Sequence, residues 1–271
     1  LLWHYFNELS IFVVYRGNQY SHVLKTDISA FFDNLNRQLI KKNIEEKLDI
    51  PEINFILEKI IKVDTRLKET ELIGAKEIDF LKSKRGKGIR QGMPMSSFLA
   101  SLYLHEFDKF MNEKNIPYVR YADDLVIFCS SYKESLKYLG LVTEELKKIN
   151  LEIPPLEEKL KTKIVKNQPI DFLGLEFRYS GNRFKAYIPA SIFKTINNKL
   201  SAYDSLNKNI KNKKDFSDVI QNIKYISNGY SSAFSDACNM SELQEEINNN
   251  KITWVRWNPL NLLAYFWKLA Y

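Results

Sequence analysis

Cysteine and histidine are scarce in this chain of 271 residues, which holds two cysteines and three histidines. Neither Cys129 nor Cys238 has a second cysteine or a histidine at a zinc-binding spacing, so the sequence gives no support for a zinc module. This cysteine usage favours a reducing, cytoplasmic setting. Cys129 stands in an apolar run and is predicted to be buried and inert. The histidines have no convincing catalytic partner.

Long hydrophobic runs are also missing. The most apolar stretch covers residues 260–271 and is shorter than the roughly 20 residues that a membrane-spanning helix needs, so no membrane association is predicted. The chain opens with Leu1 and Leu2, without the basic segment and cleavage site of a secretion signal. We therefore expect it to be a piece of a longer protein.

The composition is that of a folded, basic protein. Hydrophobic residues make up 45% of the chain and charged residues 27%, which is enough apolar surface to form a core and argues against disorder. Lysine and arginine number 40 against 33 acidic residues, for a net charge of +7. A polyanionic partner is expected, nucleic acid first. Basic residues cluster at 82–90 and 194–214, where we expect some to contact phosphate, although charge runs are usually solvated.

Helical and strand-like patterns follow one another without the regular order of βαβ units, which predicts an α+β fold. Strand signals thin out after residue 190, so we predict a boundary between residues 1–190 and 191–271. Predicted strands cover 21–28, 118–121, 125–129, 162–165, 172–177 and 184–188; predicted helices cover 35–48, 135–149, 192–206, 215–228 and 258–269, and two more begin at Pro51 and Pro94.

Three carboxylates stand out from these elements. Asp27 ends a predicted strand, and Asp123 and Asp124 lie together at the tip of a predicted hairpin. Clustered acids beside apolar strands are unfavourable unless a cation neutralises them. Magnesium is the natural candidate, since two such ions about 4 Å apart can promote phosphoryl transfer. Asp-Asp pairs are common in turns, so the pair taken alone favours an ordinary solvated turn.

Four sequence motifs occur in a fixed order around these acids: VLKTDISAFFD at 23–33, GIRQGMPMSS at 88–97, YADD at 121–124 and FLGL at 172–175. Together they resemble the palm motifs of reverse transcriptases, especially the bacterial ones of retrons, group II introns, and abortive-infection and other defence systems. The resemblance implies a right-hand polymerase palm, an antiparallel sheet backed by helices, over residues 1–190. A C-terminal helical thumb over 191–271 and largely missing fingers are also implied.

The resemblance assigns roles to the carboxylates. Asp27, Asp123 and Asp124, with the backbone carbonyl of Ile28, would hold two Mg²⁺ ions, for which Mn²⁺ could substitute. Lys161 best matches a lysine late in the palm that protonates pyrophosphate, while an ordinary surface lysine is an equal alternative.

Further residues are assigned to the substrates by the same resemblance. Phe32 would be an aromatic gate beneath the incoming sugar, favouring deoxynucleotides. The alternative for Phe32 is a core aromatic, a role that suits the neighbouring Phe31 better. Arg90, Gln91 and Gly92 would line the nucleotide site, with Arg90 replacing a common proline and a solvated loop charge as its equal alternative. The primer grip would comprise Phe172, Leu173 and Gly174.

The resemblance thus implies an RNA-directed DNA polymerase. It would transfer deoxynucleoside triphosphates onto a primer 3′-hydroxyl or priming group, with an RNA template or non-coding RNA as partner and DNA as product. A retron or anti-phage defence role is favoured. Three alternatives stay open: template-independent DNA synthesis of the abortive-infection type, RNA-dependent RNA synthesis, and a non-catalytic RNA-binding, maturase-like module. The sequence does not indicate an oligomeric state.

Overall fold

The computed structural model describes residues 20–48, 50–63, 86–156, 161–180, 183–203 and 216–255. The chain divides into two compact units, one containing the described residues up to 166 and the other those from 167 onward. The two units are built differently, and each has a sheet of its own.

A four-stranded antiparallel sheet forms the centre of the first unit, in the order β2-β3-β1-β4. The two central strands are rich in β-branched and aromatic residues. Residues 125–129 of β3 are all fully buried, so this strand is covered on both faces. The strands are β1 (His22–Asp27), β2 (Tyr118–Tyr121), β3 (Asp124–Cys129) and β4 (Lys163–Lys166).

Six helices accompany this sheet in the part of the chain that the structure describes. Asn36 caps one of them, because its side chain accepts hydrogen bonds from the backbone amides of Gln38 and Leu39, and Ser131 caps another through the amide of Glu134. A predicted single helix after Pro94 is two helices that meet at Leu104. The helices are α1 (Phe31–Asn34), α2 (Arg37–Lys47), α3 (Pro51–Ile61), α4 (Ser96–Tyr103), α5 (His105–Glu113) and α6 (Tyr132–Lys148).

One hydrophobic cluster joins the helices to the sheet. Tyr103 and Phe107 from α4 and α5 and Leu146 from α6 are fully buried in it, together with Leu24 and Ile127 from the central strands. Burial of such side chains contributes roughly 1.5–3 kcal/mol each. The predicted α+β architecture, an antiparallel sheet backed by helices, is confirmed.

Over its described residues, the second unit combines a three-stranded antiparallel sheet, in the order β5-β6-β7, with three helices. Phe177 and Phe184 from this sheet are fully buried, and Ile196 and Leu243 anchor a helical cluster of their own. The elements are β5 (Ile170–Phe172), β6 (Leu175–Ser180), β7 (Arg183–Tyr187), α7 (Ala190–Ser201), α8 (Phe216–Ala233) and α9 (Met240–Val255).

The second unit differs from its prediction at the strand 172–177. The strand predicted at 172–177 is instead two strands, because Leu173 and Gly174 form a two-residue turn that pairs Phe172 with Leu175. Their φ angles are 54° and 74°, and positive values at both positions are the mark of a type I′ turn. The helix predicted at 258–269 lies outside the described residues.

Within the described residues, no helix is both long and apolar enough to span a membrane.

The Leu173 turn yields a stability prediction. A leucine in the left-handed region costs about 1–2 kcal/mol relative to a residue that tolerates it, and asparagine does so. Leu173→Asn should therefore stabilise the chain by about 1 kcal/mol, measured by thermal unfolding. Leu173→Ala removes the same side chain without relieving the backbone and should give no gain. Equal effects of the two variants would contradict the turn assignment.

Candidate active site

The antiparallel pairing of β1 with β3 brings the predicted acids to one end of the sheet. Asp27, the last residue of β1, lies directly opposite Asp124, the first residue of β3. Asp123 stands in the two-residue loop between β2 and β3, and its carbonyl accepts a hydrogen bond from the amide of Ile28 at 3.0 Å. The structure therefore brings Asp27, Ile28, Asp123 and Asp124 together.

The loop between β2 and β3 has a strained backbone, which an ion pair between Arg120 and Asp108 helps to hold. Ala122 has a φ of 51°, in a region that glycine adopts more readily. Its carbonyl accepts a hydrogen bond from the Arg120 guanidinium at 2.9 Å, and the same guanidinium forms an ion pair with Asp108 on α5. The sequence analysis missed Arg120 and Asp108, because a contact between a helix and a strand leaves no periodic signal in the sequence.

Burial dominates the electrostatics of Asp124. Removal from water raises the pKa of its carboxyl group, Lys25 opposes this, and the negative charges of Asp123 and Asp27 raise the pKa further. The Lys25 ammonium lies 3.6 Å from the Asp124 carboxylate. Lys25 was also missed, although it stands two residues before Asp27 and therefore on the same face of β1.

Lys161 is placed beside Asp27. Its ammonium donates a hydrogen bond to Asp27 Oδ2, which raises the pKa of the lysine, and the charge of Asp27 adds to the effect. The residue after it is fixed by a buried contact, since the hydroxyls of Thr162 and Thr26 are 2.7 Å apart. Thr162 also donates to the carbonyl of Pro154 at 2.7 Å. The Lys161 side chain itself is largely exposed, so this ion pair can be exchanged for another partner.

Two carboxylate oxygens at this end of the sheet have no hydrogen-bond partner although they are buried: Asp27 Oδ1 and Asp124 Oδ1. A buried acceptor without a donor is costly, and carboxylate oxygens are the ligands that Mg²⁺ prefers. Among the described residues, no group of three or more acidic, histidine or cysteine side chains forms a ready metal site. The donor set nevertheless fits a hard divalent cation, which would supply the neutralising charge that the lysines supply here.

The residues predicted to bind the nucleotide lie on α1 and on the loop of residues 88–92. Phe32 on α1 is half-buried, and its ring meets that of the buried Phe31 edge-on at 5.2 Å. Its carbonyl accepts a hydrogen bond from the amide of Ile89 at 2.8 Å, which joins α1 to the loop that carries the remaining predicted residues. Arg90, Gln91 and Gly92 are exposed on that loop.

The predicted primer-grip residues belong to the second unit. Phe172 is buried in its sheet, Leu173 is half-buried and Gly174 is exposed at the turn. Their role as a primer grip stays a prediction.

An antiparallel sheet backed by helices, with acids at the tip of a central hairpin and at the end of the neighbouring strand, defines the palm of a nucleotidyl-transferring polymerase. Residues 8–177 match the family described as reverse transcriptase (RNA-dependent DNA polymerase). The match covers more than half of the sequence, so the chain belongs to the reverse transcriptase family. The predicted palm fold and enzyme family are confirmed.

Solved structures of telomerase are similar to this chain at low sequence identity. Telomerase from Candida albicans, in complex with a TWJ fragment of telomeric RNA, is 13% identical with a TM-score of 0.46, over 98% of this chain and 54% of that one. Apo telomerase from Candida tropicalis is 13% identical with a TM-score of 0.43, over 92% of this chain and 50% of that one. The chain thus spans about half the length of these proteins. No curated protein matches it.

The raised pKa of Asp124 yields a pH-dependent prediction. An acid whose pKa is higher in the folded state than its ordinary value of 3.8 binds its proton more tightly when folded, so its ionisation at higher pH lowers stability. In metal-free buffer at pH 7, Asp124→Asn should unfold at a higher temperature than the wild type. This gain should vanish below about pH 3, where the carboxyl is protonated in both states.

The control for that measurement is Asp236→Asn, which removes the same charge from an exposed site in the second unit. It should leave the unfolding temperature unchanged across the pH range. If the higher unfolding temperature of Asp124→Asn persists undiminished at acid pH, the buried charge of Asp124 is not its cause.

Proposed function

We propose that this chain is the catalytic part of an RNA-directed DNA polymerase that transfers deoxynucleotides onto a primer 3′-hydroxyl or another priming group. The observation that carries this proposal is the pairing of Asp27 with Asp124 in a member of the reverse transcriptase family, with a buried oxygen on each carboxylate that accepts no hydrogen bond. A palm that served only as a scaffold would gain nothing from these costly groups.

The carboxylates are proposed as the metal site. Asp27, Asp123 and Asp124, with the carbonyl of Ile28, would hold two Mg²⁺ ions, and Mn²⁺ could replace them. When bound, such a pair favours attack by the primer hydroxyl and departure of pyrophosphate. The chain's own contribution is to fix the acids rigidly, through the β1–β3 pairing and through the hydrogen bond from Ile28 to the hairpin loop.

Lys161 is proposed as the proton donor to the departing pyrophosphate. Its ammonium is kept protonated by Asp27, as the raised pKa indicates, and its exposure lets it exchange the carboxylate for a phosphate oxygen. A cation held by Asp27 would weaken the attraction between this carboxylate and Lys161. The proton on Lys161 Nζ would then be available to the departing pyrophosphate.

The substrates are proposed to bind beside the carboxylates. Phe32 would lie beneath the incoming sugar and reject a 2′-hydroxyl, while Arg90, Gln91 and Gly92 would contact the nucleotide. Phe172, Leu173 and Gly174 would hold the primer. Residues 1–190 would form the palm with part of the fingers, and 191–271 a helical thumb whose lysines contact the template–primer duplex.

The biological setting is proposed from the motifs alone. Their form is similar to that of bacterial retron, group II intron and defence-associated enzymes, and a retron or anti-phage role in the cytoplasm is favoured. The RNA partner would be a template or a non-coding RNA. The net charge of +7 supports a nucleic-acid partner of either kind.

Nucleotide incorporation by the full-length protein tests this function. With Mg²⁺ and a primed RNA template, the wild type should incorporate labelled deoxynucleotides in the order set by the template. Asp123→Asn should lower the rate by about a thousandfold or more, because it removes a ligand of the ions that stabilise the transition state. The matched control is Asp33→Asn, which changes an exposed acid of the same motif and should remain active.

The other outcomes distinguish the alternatives. Deoxynucleotide addition that ignores the template would identify a template-independent polymerase, and incorporation of ribonucleotides alone would identify an RNA polymerase. If the wild type binds RNA but incorporates no nucleotide under any of these conditions, the enzymatic proposal is wrong and a binding module is favoured.

A further inference from the structure

The single-turn helix α1, which carries Phe32, is attached to the loop of residues 88–92 by two backbone hydrogen bonds, both donated by the loop. The amide of Gly88 donates to the carbonyl of Leu35 at 3.1 Å, and the amide of Ile89 donates to the carbonyl of Phe32 at 2.8 Å. Within α1, the amides of Asp33 and Asn34 both reach back to Ala30. So short a helix is not stable alone, and its position therefore depends on the loop.

Gly88 lies so close to α1 that only glycine fits. A Cβ atom on this residue would lie 2.4 Å from the carbonyl oxygen of Phe32 and 2.7 Å from that of Asp33. Folded proteins do not contain such short contacts, and both obstacles are backbone atoms that no rotamer change can move. Any side chain at position 88 must therefore displace α1 or the loop.

Arg37 reinforces the contact from the first turn of α2. Its Nε donates to the carbonyl of Gly88 at 2.7 Å, and its terminal amino group donates to the carbonyl of Lys87 at 3.3 Å. The planar guanidinium thus fixes two successive carbonyls at once, which an ammonium cannot do with the same geometry. On the far side of the loop, the hydroxyl of Ser96 donates to the carbonyl of Arg90 at 2.6 Å.

We propose that Gly88 and Arg37 are positioning residues that set the sugar specificity of the polymerase. They hold α1 against the loop and thereby fix the ring of Phe32 relative to Gln91 and Gly92, on the other face of the same nucleotide site. Both residues would act through the position of Phe32, because their contacts are with the backbone of α1 and of the loop. This inference rests on the proposed polymerase function and on Phe32 as the sugar gate. It adds the contact between α1 and the loop that fixes the position of the Phe32 ring.

Gly86 provides a matched control. It has a φ of 76°, against 60° for Gly88, so alanine meets the same backbone preference at both positions. A Cβ atom on Gly86 has no atom within 4 Å, whereas that on Gly88 collides with α1. Comparing the two alanine variants therefore separates displacement of α1 from the conformational cost of losing a glycine.

The experiment measures kcat/KM for a deoxynucleotide and for the matching ribonucleotide on one primed RNA template. Relative to the wild type, Gly88→Ala should reduce the preference for the deoxynucleotide about 10- to 100-fold, since an ångström-scale displacement is enough for that. Phe32→Val should reduce it in the same direction and serves as the reference for an absent gate. Gly86→Ala should keep the wild-type preference.

Arg37→Lys is the second test variant and does not depend on how well Gly88→Ala folds. It keeps the positive charge but loses the two-carbonyl contact, so it should also lower the preference while leaving the affinity for RNA unchanged. A general loss of structure would lower both kcat/KM values together and leave their ratio intact.

The outcomes separate this inference from the function on which it rests. An active, selective wild type with reduced preference in Gly88→Ala and Arg37→Lys supports it. Wild-type preference in a folded Gly88→Ala, or an equal loss in Gly86→Ala, overturns the positioning role and leaves the polymerase proposal standing. If Gly88→Ala does not fold, unchanged preference in Arg37→Lys overturns it. A wild type without incorporation overturns both.

Discussion

The site depends on one strand pairing, that of β1 with β3, which sets Asp27 opposite Asp124 at the end of a buried sheet. Because the register of an antiparallel pair is fixed by its buried residues, the apolar side chains of β1 and β3 determine where the acids meet. A slip by one residue would turn both the core residues and the carboxylates to the wrong faces. Folding of the sheet and assembly of the site are therefore the same event.

The contacts around this strand pairing stabilise the negative charge of the acids and the strained backbone of the hairpin loop. Lys25 and Lys161 neutralise the acids, while Arg120 secures the loop at Ala122, where φ is positive. Two carboxylate oxygens still remain without hydrogen bonds. If these acids hold the proposed cations, the stability lost through their clustered charge would be recovered when a divalent cation binds.

The sequence alone predicts the fold class, the central hairpin and the meeting of the acids, since these follow from local patterns and motif order. It does not predict the turn at Leu173, because leucine rarely adopts a positive φ angle. It also does not predict α9, because this helix is largely polar and contributes few residues, such as Leu243 and Ile247, to the core. Lys25, Arg120 and Arg37 were also missed. Their partners lie on other elements, and such contacts depend on the tertiary structure.

The most direct test of the central claim is thermal unfolding of the full-length protein with and without Mg²⁺, for the wild type, Asp27→Asn and the control Asp33→Asn. A cation that binds only the folded state raises the unfolding temperature, and the stabilisation grows as RT ln(1 + c/Kd), where c is the Mg²⁺ concentration. The account predicts a Mg²⁺-dependent increase for the wild type and Asp33→Asn and its loss in Asp27→Asn. An equal increase in all three proteins would contradict it, because the ion would then be bound elsewhere.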